Sequence, residues 1–211
     1  MIRAVLSEPT DFRRLYLFRH PELDASHQGR AVGAGAAPLS RRGRAQVLEW
    51  AQWIDGVELE GVHCSPQPQC SEAAIAIAQP RDLEPIADPR LCDQKMGEWE
   101  GKAWEELAKT QGDAVRAFFT DFGEVRAPAG ESLGEAVERV LSWWVEIAPK
   151  SLGTSRAVVL PGSVLSGFAA ALLGLRLSRG VSVSLPHGSM GVLDVYDNGA
   201  RLQAWNASAF Q

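Results

Sequence analysis

Along this chain, short continuous apolar runs alternate with longer stretches whose apolar positions repeat at helical spacing. Residues 14–18, RLYLF, form a run that Pro21 cannot extend, which predicts a buried central strand ending at Arg19 and His20. Ser40 predicts the cap of a helix carrying Val47, Leu48, Ala51 and Ile54 on one face. Residues 61–64 then read as a strand, 71–78 as an alanine-rich helix and 84–87 as a further short strand. Residues 102–122 have helical spacing with a break at Gly112, and are expected as an excursion beside the main sheet. Ser132 with Glu135 three residues on predicts a capping box, opening a helix with Leu133, Ala136, Val137, Val140, Leu141 and Trp144 on its apolar face. Residues 157–160 form a second buried strand, and Pro161, Gly162 and Ser163 lead into a helix over 164–173. Asn198 and Gly199 predict a hairpin between strands at 192–196 and 201–205. This alternation predicts an α/β fold: a single domain over 1–211, a three-layer sandwich with a mostly parallel central sheet and helices on both faces. Residues 1–12 are expected as an N-terminal extension.

Composition narrows the partners. A net charge of −5, without a basic stripe, argues against nucleic acid or an anionic membrane, so any anion must be held by a local pocket. The three cysteines, Cys64, Cys70 and Cys92, are an odd number without zinc-like spacing, so neither a disulfide framework nor a metal site is expected. A reducing cytoplasm fits best, and no stretch has the length of a signal peptide or a membrane span. No cofactor is implied.

The Arg-His pair sits at the carboxyl end of a predicted strand, the usual place for chemistry in an α/β sheet. From there the motifs accumulate in order: Arg19-His20-Pro21; Pro38-Leu39-Ser40 with Gly43; Gly97-Glu98-Trp99-Glu100-Gly101; Gly130-Glu131-Ser132. Together they resemble the histidine phosphatases, which include the cofactor-dependent phosphoglycerate mutases and the α-ribazole phosphatases. The resemblance spans nearly the whole chain, and the Arg-His-Pro-Glu opening leans toward the α-ribazole branch. It implies a phosphoglycerate mutase-like fold and a phosphomonoesterase in which His20 becomes a phosphohistidine. Arg19 would bind the phosphoryl oxygens, Asp93 would protonate the leaving oxygen, and Arg30 would fall in the substrate loop.

Two motifs are altered. Where the family carries Ser-Pro-x-x-Arg-Ala, this chain has Ser65-Pro66-Gln67-Pro68-Gln69-Cys70, so Gln69 stands at the arginine position. Where the family carries a histidine at a strand end, this chain has Pro161 before Gly162. Glutamine brings no charge and no planar fork, and proline donates nothing. The expected phosphate contacts are therefore Arg19, Gln69 and the helix-start positions Gly162 and Ser163, a degraded pocket holding a phosphorylated small molecule or another anion. Weak or absent activity is expected, with a working phosphomonoesterase acting through His20 as the alternative.

Three other histidines are candidate substitutes. His63 ends a strand near the site, and His27 and His187 lie in loops; each is expected to face solvent or to be bonded locally. His63-Cys64 through Cys70 resembles a cysteine-phosphatase loop without its arginine. Gly33-Ala34-Gly35 is expected as a flexible loop near the pocket, and Trp99 and Trp104 as packing residues. A structural role for Arg19 would pair it with Glu131 or Asp93.

Overall fold

The computed structural model describes residues 11–121, 123–150 and 153–207, so residues 1–10 of the expected extension lie outside it. Six strands, β1 (Arg13–Arg19), β2 (Gly61–Cys64), β3 (Ile86–Ala87), β4 (Ser155–Leu160), β5 (Met190–Tyr196) and β6 (Gly199–Ala207), form one sheet in the order β3-β2-β4-β1-β5-β6. The pairings β3-β2, β2-β4 and β4-β1 are parallel, whereas β1-β5 and β5-β6 are antiparallel. The sheet is therefore mixed, with a parallel majority and an antiparallel hairpin on one edge. The hairpin forms where predicted but its turn sits one residue earlier, at Asp197 and Asn198, because Gly199 pairs with Tyr196 and opens β6 at φ +150°.

Strand alternation divides the core. Leu15, Leu17, Val158 and Leu160 point to one face, against α5 (Leu133–Ile147) and α6 (Gly162–Leu172). Phe18, Val62, Cys64, Ala157 and Val159 point to the other, against α1 (Arg41–Trp53) and α2 (Pro68–Ala78). The side-chain period of two thus yields three layers from one sheet. The excursion is α3 (Trp104–Thr110) and α4 (Gly112–Thr120), broken at Gln111 and packed on a satellite core of Trp99, Leu107 and Phe118.

The α5 capping box forms as expected: Glu135 N–H donates to Ser132 Oγ at 3.2 Å, and Ser132 N–H donates to Glu135 Oε2 at 2.9 Å. The α1 face differs from its prediction. Leu48 is 70% exposed, while Val47, Trp50 and Ile54 are buried, and the side chain of Ala51 lies outside the described residues. Trp50 decides the rotation: its ring packs on Phe18 at 4.8 Å and its indole N–H donates to the Gly188 carbonyl at 2.8 Å. Helix α2 also starts earlier than predicted, at Pro68, whose fixed φ and missing N–H suit the first helical position.

Candidate active site

The parallel strands end together, and their carboxyl edge gathers the chemistry. The His20 N–H extends the β1-β4 pairing by donating to Leu160 O at 3.0 Å, after which Pro21 turns the chain away. His20 Nδ1 lies 2.9 Å from the Pro21 carbonyl. A carbonyl can only accept, so Nδ1 carries the proton and Nε2 keeps its lone pair. Burial, then the neighbouring His187 and Arg19, push the His20 pKa down to about 3, which leaves the imidazole neutral at ordinary pH.

Arg19 enters the pocket from the last residue of β1. Its Nη1 donates to Leu185 O at 2.5 Å and its Nη2 to His187 Nε2 at 3.0 Å, while Nε is buried without a partner. The guanidinium lies flat against the start of α6: a Cβ on Gly162 would meet Arg19 Nε at 2.6 Å and Cζ at 2.7 Å. The structural pairing with Glu131 does not occur, since Glu131 binds Arg139 at 2.9 Å.

Asp93 follows the short 3-10 turn Pro89–Leu91 beyond β3. Its Oδ1 accepts from Ser163 Oγ at 2.5 Å and from Gln94 N–H at 2.8 Å. Burial raises its pKa to about 6, against the opposing pull of Ser163, Gln94 and Arg19. The carboxyl therefore holds a proton well above the ordinary aspartate range, as a general acid requires. Gln69, on the first turn of α2, is buried and its Oε1 accepts from Ala37 N–H at 3.2 Å. Helix α6 begins after Pro161 with no side chain capping it. Arg30 is held at the mouth, with Nε donating to Ser26 O and Nη1 to Gly101 O, each at 2.9 Å. Arg19, His20, Arg30, Gln69, Asp93, Gly162 and Ser163 all line one cavity of about 420 Å³.

The alternatives fare differently. His63 points into the core, its ring on Trp143 at 5.3 Å and its Nε2 3.1 Å from Arg156 Nη1. Burial pushes the Cys64 thiol up to about 11 and Cys70 well above its usual range, so neither supplies a thiolate. Gly33-Ala34-Gly35 is clamped rather than flexible: Glu100 Oε1 accepts from both glycine N–H groups, and Gln67 Nε2 donates to both glycine carbonyls at 2.9 Å. Trp99 and Trp104 pack together in the satellite core, as expected. His27 reaches the cavity lining, and so does His187. Sequence reasoning set both aside; His187 is the one whose ring stands beside His20, with centroids 4.8 Å apart.

The family model described as histidine phosphatase superfamily (branch 1) matches residues 15–208. The chain belongs to this superfamily. Among relatives, the histidine phosphatase is 28% identical over 180 residues to phosphoserine phosphatase 1 of Hydrogenobacter thermophilus, covering 85% of each chain. It is 24% identical over 196 residues to the adenosylcobalamin/alpha-ribazole phosphatase of Escherichia coli, covering 93% of this chain and 97% of that one. Its fold matches a putative alpha-ribazole-5'-P phosphatase from Escherichia coli at a TM-score of 0.84 and 23% identity, over 94% of this chain and 98% of that one. It matches a mycobacterial glucosyl-3-phosphoglycerate phosphatase at 0.85 and 22% identity, over 93% of this chain and all of that one (100%). Among the described residues, no cluster of three or more His, Cys, Asp or Glu is placed to hold a metal, and no single helix is long and apolar enough to cross a membrane.

Proposed function

We propose that this histidine phosphatase binds a phosphorylated small molecule in the Arg19–His20 pocket and hydrolyses it slowly through a phosphohistidine at His20. The observation that carries the reading is the bond from His20 Nδ1 to Pro21 O, which leaves Nε2 as the free nucleophilic nitrogen. In the first step Nε2 attacks phosphorus, the P–O ester bond breaks and the leaving oxygen takes the Asp93 proton. In the second, water attacks phosphorus and its proton passes to the Asp93 carboxylate, while the P–N bond breaks, returning the lone pair to His20 Nε2, and inorganic phosphate leaves.

The rate is low because the phosphoryl oxygens meet less positive charge than the reaction calls for. Gln69 offers an uncharged amide and Pro161 no donor, and each missing preorganised donor costs roughly 100-fold to 1,000-fold. Losses within one constellation do not simply multiply. The alternative reading is an unimpaired phosphomonoesterase, favoured by the raised proton affinity of Asp93. Hydrolysis of an aryl phosphate by wild type and His20→Ala separates the readings. A slow rate that His20→Ala removes is the expected result; a turnover near the common value of about 10 per second selects the alternative. Equal rates for the two proteins overturn His20 catalysis. The three cysteines are free, in keeping with a reducing compartment such as the cytoplasm.

A further inference from the structure

His187 is not at a strand end and matches none of the motifs, yet it stands beside the nucleophile. Strand β5 runs antiparallel to β1 with Met190 opposite Phe18, so the residues before β5 arrive where β1 ends. Gly188 N–H donates to His20 O at 3.3 Å, and Arg19 N–H to Ser189 O at 3.1 Å. These bonds fix the 187–189 backbone against the Arg-His pair, and Gln46 Nε2 of α1 holds His187 O at 3.1 Å. The His187 and His20 ring centroids are 4.8 Å apart.

We propose that His187 is the second imidazole of the anion site, neutral in the empty pocket and protonated when a phosphate-like dianion enters. This rests on the anion-site reading above. The tautomer of the empty site follows from the donors: arginine cannot accept, so His187 Nε2 accepts from Arg19 Nη2, and its proton sits on Nδ1, 3.4 Å from His20 O. Burial and then Arg19 hold the imidazole down, to a pKa of about 4, against the weaker opposing pull of the bond to His20 O and then of Glu22. The groups that face it are Arg19, His20 and Glu22, with Asp93 across the cavity.

A dianion against Arg19 reverses that balance, because an opposite charge at this range raises a pKa by about 1–3 units. His20 is not the acceptor of the proton, since its Nδ1 proton is committed to Pro21 O and its Nε2 must stay free to attack. His187 Nε2 takes one proton from solvent and becomes a donor. It then ceases to accept from Arg19, whose Nη2 N–H is released toward the anion. One protonation thus supplies two donors, at the place where Pro161 supplies none.

The test is a pH titration of the histidine imidazoles by NMR, on 15N-histidine-labelled protein with and without saturating sulfate, a dianion that does not itself titrate. The His187 resonances, assigned by their loss in His187→Gln, are expected to move their midpoint up by at least about one unit with sulfate. Sulfate affinity should fall with rising pH more steeply in wild type than in His187→Gln; Asp93 contributes equally to both. Sulfate binding with an unmoved His187 midpoint overturns the role of His187 alone. No sulfate or phosphate effect on any pocket resonance overturns the anion-site reading and this inference with it. The wild-type titration stands even if His187→Gln fails to fold.

Discussion

At the scale of single residues, the site divides its labour by environment. Burial holds His20 neutral and raises the proton affinity of Asp93 to about 6, so below that pH one desolvated pocket holds both the neutral imidazole and the carboxylic acid that the proposed mechanism calls for. The pH dependence follows. In the proposed mechanism hydrolysis needs protonated Asp93, so the rate should be level below about 6 and fall about tenfold per unit as pH rises beyond it. Ser163 Oγ donates to the carboxyl and favours its ionised form. Ser163→Ala should therefore move the falling limb to higher pH, whereas Asp93→Asn should lower the rate by roughly 100-fold to 10,000-fold and remove the limb. Pre-steady-state measurements of the phosphorylation step across pH 4–8 check both. A limb that stays put in Ser163→Ala would show that Asp93 is not the titrating acid. That Arg19, His20 and Asp93 meet in one cavity was legible because strand ends and motif order mark them. His187 was not, since a loop's direction depends on which strand pairs beside β1, and nothing in the residues 185–189 records that choice.

At the scale of elements, two helix starts bring the proposed phosphate contacts to the cavity. Gly162 opens α6, and a Cβ there would take the space that the Arg19 guanidinium now occupies. Gly162→Ala is expected to push the guanidinium out of its slot and weaken phosphate binding by about tenfold or more, the worth of a hydrogen bond to a charged group. Calorimetry with inorganic phosphate reads it, and unchanged affinity would mean that Arg19 does not hold the anion. On α2, Gln69 occupies a first-turn position, and Pro161 precedes α6 with φ −63° and ψ 153°, a conformation open to any residue. Gln69→Arg with Pro161→His should raise aryl-phosphate hydrolysis by at least about 100-fold, the scale of one restored donor, and His20→Ala should cancel the gain. Its cost in stability is also specified: Gln69 Oε1 is the acceptor for the buried Ala37 N–H, and losing it costs about 1–3 kcal/mol. Elements were the most legible level, since capping at Ser132 and the break near Gly112 are local signals. The rotation of α1 was less so, because Trp50 is turned inward by Phe18 and Gly188, partners far away in sequence.

At the scale of the whole molecule, buried titratable groups link folding to pH, and the signs oppose. His20, His63 and His187 have folded pKa values of about 3, 4 and 4, below the ordinary 6.5. As pH falls through 6.5 the unfolded chain takes those protons first, so these groups destabilise the fold progressively down to about 4. Asp93 acts the other way: its folded value of about 6 exceeds the ordinary 3.8, so its contribution is fully present below 3.8 and is lost as pH rises through 6. Three groups against one leave the unfolded chain ahead by about two protons near pH 5, a loss of roughly 2–3 kcal/mol of stability per unit of acidification. Asp88 and Glu131, whose values are lowered with help from Arg90 and Arg139, add to the loss at still lower pH. His63 isolates the effect, because it lies in the core away from the cavity and its Nδ1 is buried without a partner. In His63→Gln the amide oxygen can still accept from Arg156, but nothing at that position titrates. Urea unfolding at pH 7, 6 and 5 should show stability falling in both proteins, with the fall in His63→Gln smaller by about 0.7 kcal/mol between pH 7 and 6 and by about 1.2 kcal/mol between pH 6 and 5, as one histidine protonates in the unfolded chain alone. Parallel curves would mean that His63 is protonated alike in the folded and unfolded chain.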